Sequence, residues 1–209
     1  YAFLVTLVTF LMAYPMAYFL TKTKNKQLWL LLIILPTWIN LLLKTYAVIG
    51  LLGQTGPINH WLQNFGFGRQ QLLFTNVAFL IVAAYIELPF MMLPIFNSID
   101  EIPNSLMEAS NDLGATPWET LRRVVFPLSM RGVRSGVQAV FIPSLSLFML
   151  TRLIGGNRVI TLGTAVEQHF LVTQNWGMGS AIGVILLISM VLVMYITRER
   201  RDQGGAMGE

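Results

Sequence analysis

The chain has 209 residues, of which 55% are hydrophobic and only 11% charged, and its mean hydropathy is +0.62. A soluble domain carries about 25% charged residues, so this composition excludes an ordinary soluble fold. The formal charge is +4 with a pI near 9.6, and the absence of cysteine excludes disulfides and thiolate metal sites without assigning a redox compartment.

Five segments are apolar over the roughly 20 residues that a bilayer helix needs: about 1–20, 28–50, 73–96, 131–151 and 179–197. Backbone groups in lipid must be satisfied within the segment, so these are expected to be helices, giving one all-α integral membrane domain over residues 1–209. The first segment opens at Tyr1 with no initiator Met, and its basic residues follow the apolar run instead of preceding it, which argues against a signal peptide. Five spans with a cytoplasmic C-terminus place Tyr1 outside, so a sixth helix is expected ahead of it.

In the second segment Lys44 lies toward the external end, where its stem is expected to snorkel. The connection at 51–72 carries a Gly56-Pro57 turn followed by Ile58, Trp61, Leu62 and Phe65 at helical spacing, which predicts a short helix at the membrane surface. Trp61 and Trp176 suit the interfacial aromatic belt. Near the middle of the third segment stands Glu87. An ionisable group within a bilayer is rare and by default functional. The alternative is a carboxyl paired with a neighbouring subunit or protonated in a packed bundle. Pro15, Pro36, Pro89, Pro94 and Pro143 each remove a backbone hydrogen bond inside a span, which either frees carbonyls for a pathway or serves packing. Gly132-x-x-x-Gly136 and Gly179-x-x-x-Gly183 permit close helix approach. In the external connection at 152–178, Glu167 is expected to be solvated, or else to line a cation entrance.

Between the third and fourth segments, residues 103–127 form a polar interval that predicts a helix–turn–helix. Pro103 suits a first turn, and Gly114 suits the left-handed position that ends a helix. Thr116, Pro117 and Glu119 then read as an N-cap, a first helical residue and the partner of a capping box. Trp118, Leu121 and Val125 make an apolar stripe. Glu108 and Asp112 give the first helix an acidic face, while Arg122 and Arg123 make the second basic. Such an amphipathic knob fits a groove on a soluble partner.

Ten of the fourteen basic residues fall on the knob's side of the bilayer: Lys22, Lys24 and Lys26; Arg122, Arg123, Arg131 and Arg134; Arg198, Arg200 and Arg201. Lys44, Arg69, Arg152 and Arg158 fall on the other. The excess places the knob and the C-terminus in the cytoplasm and accounts for the basic pI without nucleic acid as a partner. No phosphate-binding G-x-x-x-x-G-K-[ST] sequence, no G-x-S-x-G elbow and no ligand spacing around His60 or His169 occurs, so no catalytic, cofactor or metal site is read in this chain.

Glu108-Ala109-Ser110, Gly114 six residues after the Glu, then Val124, Phe126 and Pro127 resemble the cytoplasmic EAA loop of ATP-binding-cassette importer permeases. The chain has Ser110, Val124 and Phe126 where that pattern prefers Ala, Ile and Leu. Most of its length further resembles the B-type permease subunits of bacterial spermidine/putrescine importers, through Leu35-Pro36-Thr37-Trp38-Ile39-Asn40, Lys44 and Tyr46; Leu88 to Pro94 with Ser98-Ile99; Gly155-Gly156-Asn157; and Gln168, Phe170-Leu171 and Trp176. Related permeases for sulfate, iron and other solutes share parts of these segments.

The resemblance implies a type I importer permease (MetI-like) bundle with five transmembrane helices here and a sixth before them, in the bacterial cytoplasmic membrane. It implies a second permease subunit, two ATPase subunits that hold ATP and Mg, and an extracytoplasmic polyamine-binding protein. Glu108, Ala109, Asp112, Gly114, Trp118, Arg122 and Pro127 would then couple to the ATPase, as a cytoplasmic coupling helix–turn–helix. A polycationic substrate asks its path for carboxylates and aromatic faces, which Glu87, Trp38, Asn40, Tyr46, Tyr85 and Phe90 supply. The rival readings are a permease for another small solute, a secondary transporter or channel that works without ATPase subunits, and a membrane scaffold without transport activity.

Overall fold

A computed structural model describes residues 1–156 and 158–197. Asn157 and the basic residues Arg198, Arg200 and Arg201 lie outside the described residues. Helices account for nearly all regular structure, and no strand occurs among the described residues.

Among the described residues three helices are long and apolar enough to cross a membrane: α1 (Ala2–Thr21), α5 (Asn76–Asp100) and α12 (Trp176–Thr197). They coincide with three of the five expected spans. The expected span at 28–50 is not one straight helix. It comprises α2 (Lys26–Ile34), a 3-10 turn (Leu35–Trp38) and α3 (Leu41–Leu52), and the helical path bends by 97° at the break. Pro36 sits in the tight turn, and Asn40 starts a new helix by accepting the Leu42 N–H on its side-chain oxygen at 2.8 Å. The expected span at 131–151 is also broken. α9 (Met130–Ser144) carries Pro143 in its last turn and stops, and α10 (Phe148–Leu153) follows after Leu145–Leu147.

α5 is the centre of the bundle, packed between α1 and α9. One apolar cluster joins Ala13, Ala17 and Leu20 of α1 to Met91, Met92, Ile95 and Ile99 of α5 and Val133 and Val140 of α9. A second, toward the other end of α5, joins Phe79, Val82 and Ile86 to Leu150 and Ile154. Gly132 and Gly136 let α9 approach α5: a Cβ on Gly136 would stand 2.9 Å from the Met91 carbonyl oxygen, and one on Gly132 would run into Pro94 and Ser98. Gly179 similarly lies under the Phe170 ring, whereas a Cβ on Gly183 meets nothing within 4 Å among the described residues. The close approach expected of both glycine pairs therefore holds at three of the four positions. α12 leans on α9 and α11 (Leu162–Glu167) and leaves most of its surface exposed.

The short surface helix expected after Gly56-Pro57 is present as α4 (Pro57–Asn64), with Trp61 exposed and its ring tilted against Phe65, centroids 4.6 Å apart. Its buried Asn59 pins the connection by donating to the carbonyls of Gly53 and Gln70 and accepting the Gln70 N–H.

Candidate functional site

The polar interval folds as a helix–turn–helix. α6 (Asn104–Asp112) has Pro103 at its N-cap, one position earlier than a first-turn proline. Leu113 and Gly114 end it, and Gly114 adopts φ +79°, the left-handed conformation that suits a residue with no Cβ. α7 (Pro117–Thr120) opens with the expected capping box: Thr116 Oγ1 accepts the Glu119 N–H, and the Glu119 carboxylate accepts the Thr116 N–H at 2.9 Å. Those bonds from the Thr116 backbone and hydroxyl hold the Glu119 carboxyl below its ordinary value, with a smaller contribution from Arg123. The helix then loosens into a π-helical turn (Leu121–Val125) and continues through α8 (Phe126–Leu128) into α9.

The two arms are tied by Ser110 Oγ and Thr120 Oγ1 at 2.9 Å. Between them lies a cleft of about 430 Å³ lined by Ala109, Ser110, Leu113, Gly114, Glu119 and Arg123, among others. Its outer surface exposes Glu108, Ala109, Asp112, Arg122 and Pro127, and places Leu113 (89% exposed) and Trp118 (68%) in the open. The expected stripe of Trp118, Leu121 and Val125 is split. Val125 is buried and Leu121 packs against the same cluster, while Trp118 points outward. Leu113 and Trp118 are thus the most exposed large apolar side chains of the helix–turn–helix, which also exposes charges of both signs.

The inner side of the knob belongs to the bundle. Ile102, Met107, Leu121 and Val125 join the cluster built by α1, α5 and α9. At the junction, Tyr14 of α1 meets Ser129, hydroxyl to hydroxyl, at 3.0 Å, and the Tyr14 ring packs against Phe126. Lys26 closes the same end, gripping both oxygens of Asp100 at 2.7 and 2.9 Å.

The expected substrate-path residues do not converge on one point. Glu87 is 5% exposed, makes no hydrogen bond among the described residues, and feels the charge of Lys44. Lys44 does not simply snorkel outward: with Pro36, Thr37 and Tyr85 it lines a cavity of about 370 Å³ between α1, α2, α3 and α5. Tyr85 and Phe90 are both half-exposed but, five residues apart on α5, they lie on different faces. Trp38 projects from the helix break with 84% of its surface exposed, and Tyr46 is exposed on α3. Asn40 is spent as the cap of α3.

Glu167, expected to be solvated, is not. Its side chain is 14% exposed and pairs with Arg152 at 3.1 Å. The approach that buries it was not read from the sequence, although Thr161 and Thr164, which form the capping box of α11, gave a local signal for the helix that carries it.

Comparison with known proteins matches residues 1–199 to the family described as binding-protein-dependent transport system inner membrane component. The spermidine/putrescine transport system permease protein PotB of Haemophilus influenzae is 34% identical over 195 residues, covering 91% of this chain and 68% of that protein. PotB of Escherichia coli K12 is 34% identical over 199 residues, covering 93% and 72%. The inner membrane ABC transporter permease protein YdcU of the same organism is 30% identical over 206 residues, covering 91% and 66%. Among solved structures, a chain of a bacterial alginate ABC transporter, in complex with an alginate pentasaccharide-bound periplasmic protein, superposes with a TM-score of 0.76 at 16% identity. The match covers 94% of this chain and 74% of that one, and it establishes a shared fold.

Proposed function

This chain belongs to the binding-protein-dependent transport system inner membrane component family, and on that premise we propose that it is the transmembrane permease subunit of an ATP-driven importer that moves polyamines, spermidine and putrescine, into the cytoplasm. The observation that carries the reading is the likeness to spermidine/putrescine permeases over more than nine-tenths of the chain. The chain itself does no hydrolysis in this account. ATP and Mg are held by two ATPase subunits on the cytoplasmic side, a second permease subunit completes the pathway, and an extracytoplasmic polyamine-binding protein delivers substrate.

The helix–turn–helix at 103–127 seats in the ATPase, with Leu113 and Trp118 as apolar anchors and Glu108, Asp112 and Arg122 setting register. Ala109 and Gly114 keep the surface close-fitting, and Pro127 marks the exit toward α9. Closure of the ATPase pair displaces the knob, and its inner residues carry the displacement into α1, α5 and α9. Alternating access needs two states that contact the substrate differently. Glu87 gives one such contact, a carboxylate in a low-dielectric interior where a polyamine ammonium is strongly favoured over a neutral solute. Trp38, Tyr46, Tyr85 and Phe90, which lie apart from one another, offer aromatic faces at separate points of such a path.

The test is ATP-dependent uptake of labelled spermidine into vesicles containing this chain and its copurified partners, with sulfate as control. Uptake of spermidine is the expected result. Uptake of sulfate instead would keep the permease assignment and overturn the polyamine one, and uptake without an ATPase would overturn the coupling.

A further inference from the structure

Beyond Glu87, another acid is drawn into the fold. α11 is pressed against the segment that ends α9: the Gly163 N–H donates to the Leu145 carbonyl at 3.3 Å, and a Cβ on Gly163 would stand 2.8 Å from the Ser146 Cα. Glu167, one turn beyond Gly163, is thereby carried inward. One of its oxygens takes Arg152 at 3.1 Å, while the other, Oε2, is sealed from solvent and reached by no hydrogen-bond donor among the described residues. The Ser144 hydroxyl, at the end of α9 beside the same junction, is likewise buried without a partner. Buried polar atoms are nearly always satisfied, and a buried carboxylate with half its acceptors unused is a costly arrangement that calls for a second donor. Arg152 is the accessible member of the pair, with 48% of its side chain exposed against 14% for Glu167. It holds Oε1 and leaves Oε2 without a donor among the described residues. α10, which carries Arg152, packs through Leu150 and Ile154 on the stretch of α5 that includes Ile86, next to Glu87.

We propose that Glu167 is a receiving carboxylate for one ammonium group of a polycationic substrate, with Arg152 as the tethered cation that the substrate displaces. This rests on the polyamine-importer reading and deepens it, since a diamine or triamine needs separated anionic contacts and Glu87 is only one. An alkylammonium brings up to three N–H donors, enough to supply the one that the unused oxygen of Glu167 lacks. A neutral or anionic solute gains nothing from this arrangement, so the site selects for charge.

The experiment is spermidine uptake and spermidine-stimulated ATP hydrolysis by the complete complex in proteoliposomes, for the unaltered chain, Glu167→Gln, Arg152→Gln and the exchange Arg152→Glu with Glu167→Arg. Glu167→Gln is expected to raise the spermidine KM about tenfold or more, the size of one charge-assisted hydrogen bond, with basal ATP hydrolysis retained. Arg152→Gln is expected to leave KM unchanged or lower it, because the competitor is gone. The exchange variant should stay impaired, because it restores a salt bridge without restoring the carboxylate at position 167. If Arg152→Gln raises KM as much as Glu167→Gln and the exchange restores it, the pair is structural and the proposal is overturned. Should Glu167→Gln fail to assemble, Arg152→Gln decides alone: a raised KM overturns, an unchanged or lower one supports. Absence of spermidine uptake by the unaltered complex would instead overturn the polyamine reading itself.

Discussion

The hydroxyls of Tyr14 and Ser129, 115 residues apart in sequence, lie 3.0 Å from each other at the point where the knob rejoins the bundle. Ser129 Oγ also donates to the Phe126 carbonyl at 3.2 Å, so the proton between the two hydroxyls comes from Tyr14. The pair is therefore asymmetric. Tyr14→Phe removes a donor and leaves Ser129 bonded, at a cost of about 1 kcal/mol; Ser129→Ala leaves a buried phenol with no acceptor, about 1–3 kcal/mol. Thermal unfolding of the purified complex should show the larger loss for Ser129→Ala. The opposite order would mean that the bond runs the other way.

Gly114 is held at φ +79° with open space where a Cβ would go, so the cost of replacing it is backbone conformation and not collision. A left-handed L-residue costs about 1–2 kcal/mol, less for Asn than for a β-branched residue. Uptake is expected to be abolished in Gly114→Val and partly retained in Gly114→Asn, with both chains inserted in the membrane. Full uptake by the Val variant would remove the turn from the coupling mechanism.

The glycines of α9 and α12 should respond differently to the same methyl group. Gly132→Ala drives a side chain into Pro94 and Ser98, an overpacking worth about 1–3 kcal/mol or more, whereas Gly183→Ala meets nothing within 4 Å among the described residues and should stay within about 0.5 kcal/mol. Yield and melting of the two variants in detergent check this. A destabilising Gly183→Ala would reveal a surface that another subunit covers.

The capping box gives a pH dependence with a definite sign. Because Glu119 is held below its ordinary value in the fold, its stabilisation is fully present above the unfolded value and is lost as pH falls through the folded one. Amide hydrogen exchange at residues 116–120 should thus be insensitive between pH 6 and 8 by this mechanism, and protection should weaken only in acid, below about pH 4. In Glu119→Gln that acid step should vanish.

If Glu87 meets substrate, Glu87→Gln should raise the KM for spermidine by about tenfold or more while the complex still assembles. Unchanged uptake would place Glu87 among the packing residues.

What the sequence revealed follows from how local each determinant is. Thr116, Pro117 and Glu119 act on each other within one turn, and Gly114 needs only its own missing Cβ, so the knob was legible residue by residue. Pro57 announced α4 in the same way. The 97° break at 35–40 was not legible, since a proline in an apolar run bends some helices mildly and breaks others. The cap that the Asn40 side chain makes on α3 was not read from the sequence, because it depends on the break that precedes it. Burial of Glu167 depends on Gly163 lying against Ser146, and the facing of Tyr85 and Phe90 depends on what packs around α5. Those are tertiary facts with no periodic signature.

Because Ile102, Met107, Leu121 and Val125 are set in the same apolar cluster as the helices they serve, the knob has no slack relative to the bundle. A dense interior resists compression and passes strain on instead of absorbing it. On the proposed coupling, a push on the outer arm would be passed to α5 as through a lever cast in one piece with its axle, and the give for a large motion would come from elsewhere along the chain. The break at Leu35–Asn40, where the helical path bends by 97° and which lies outside that cluster, is one such place.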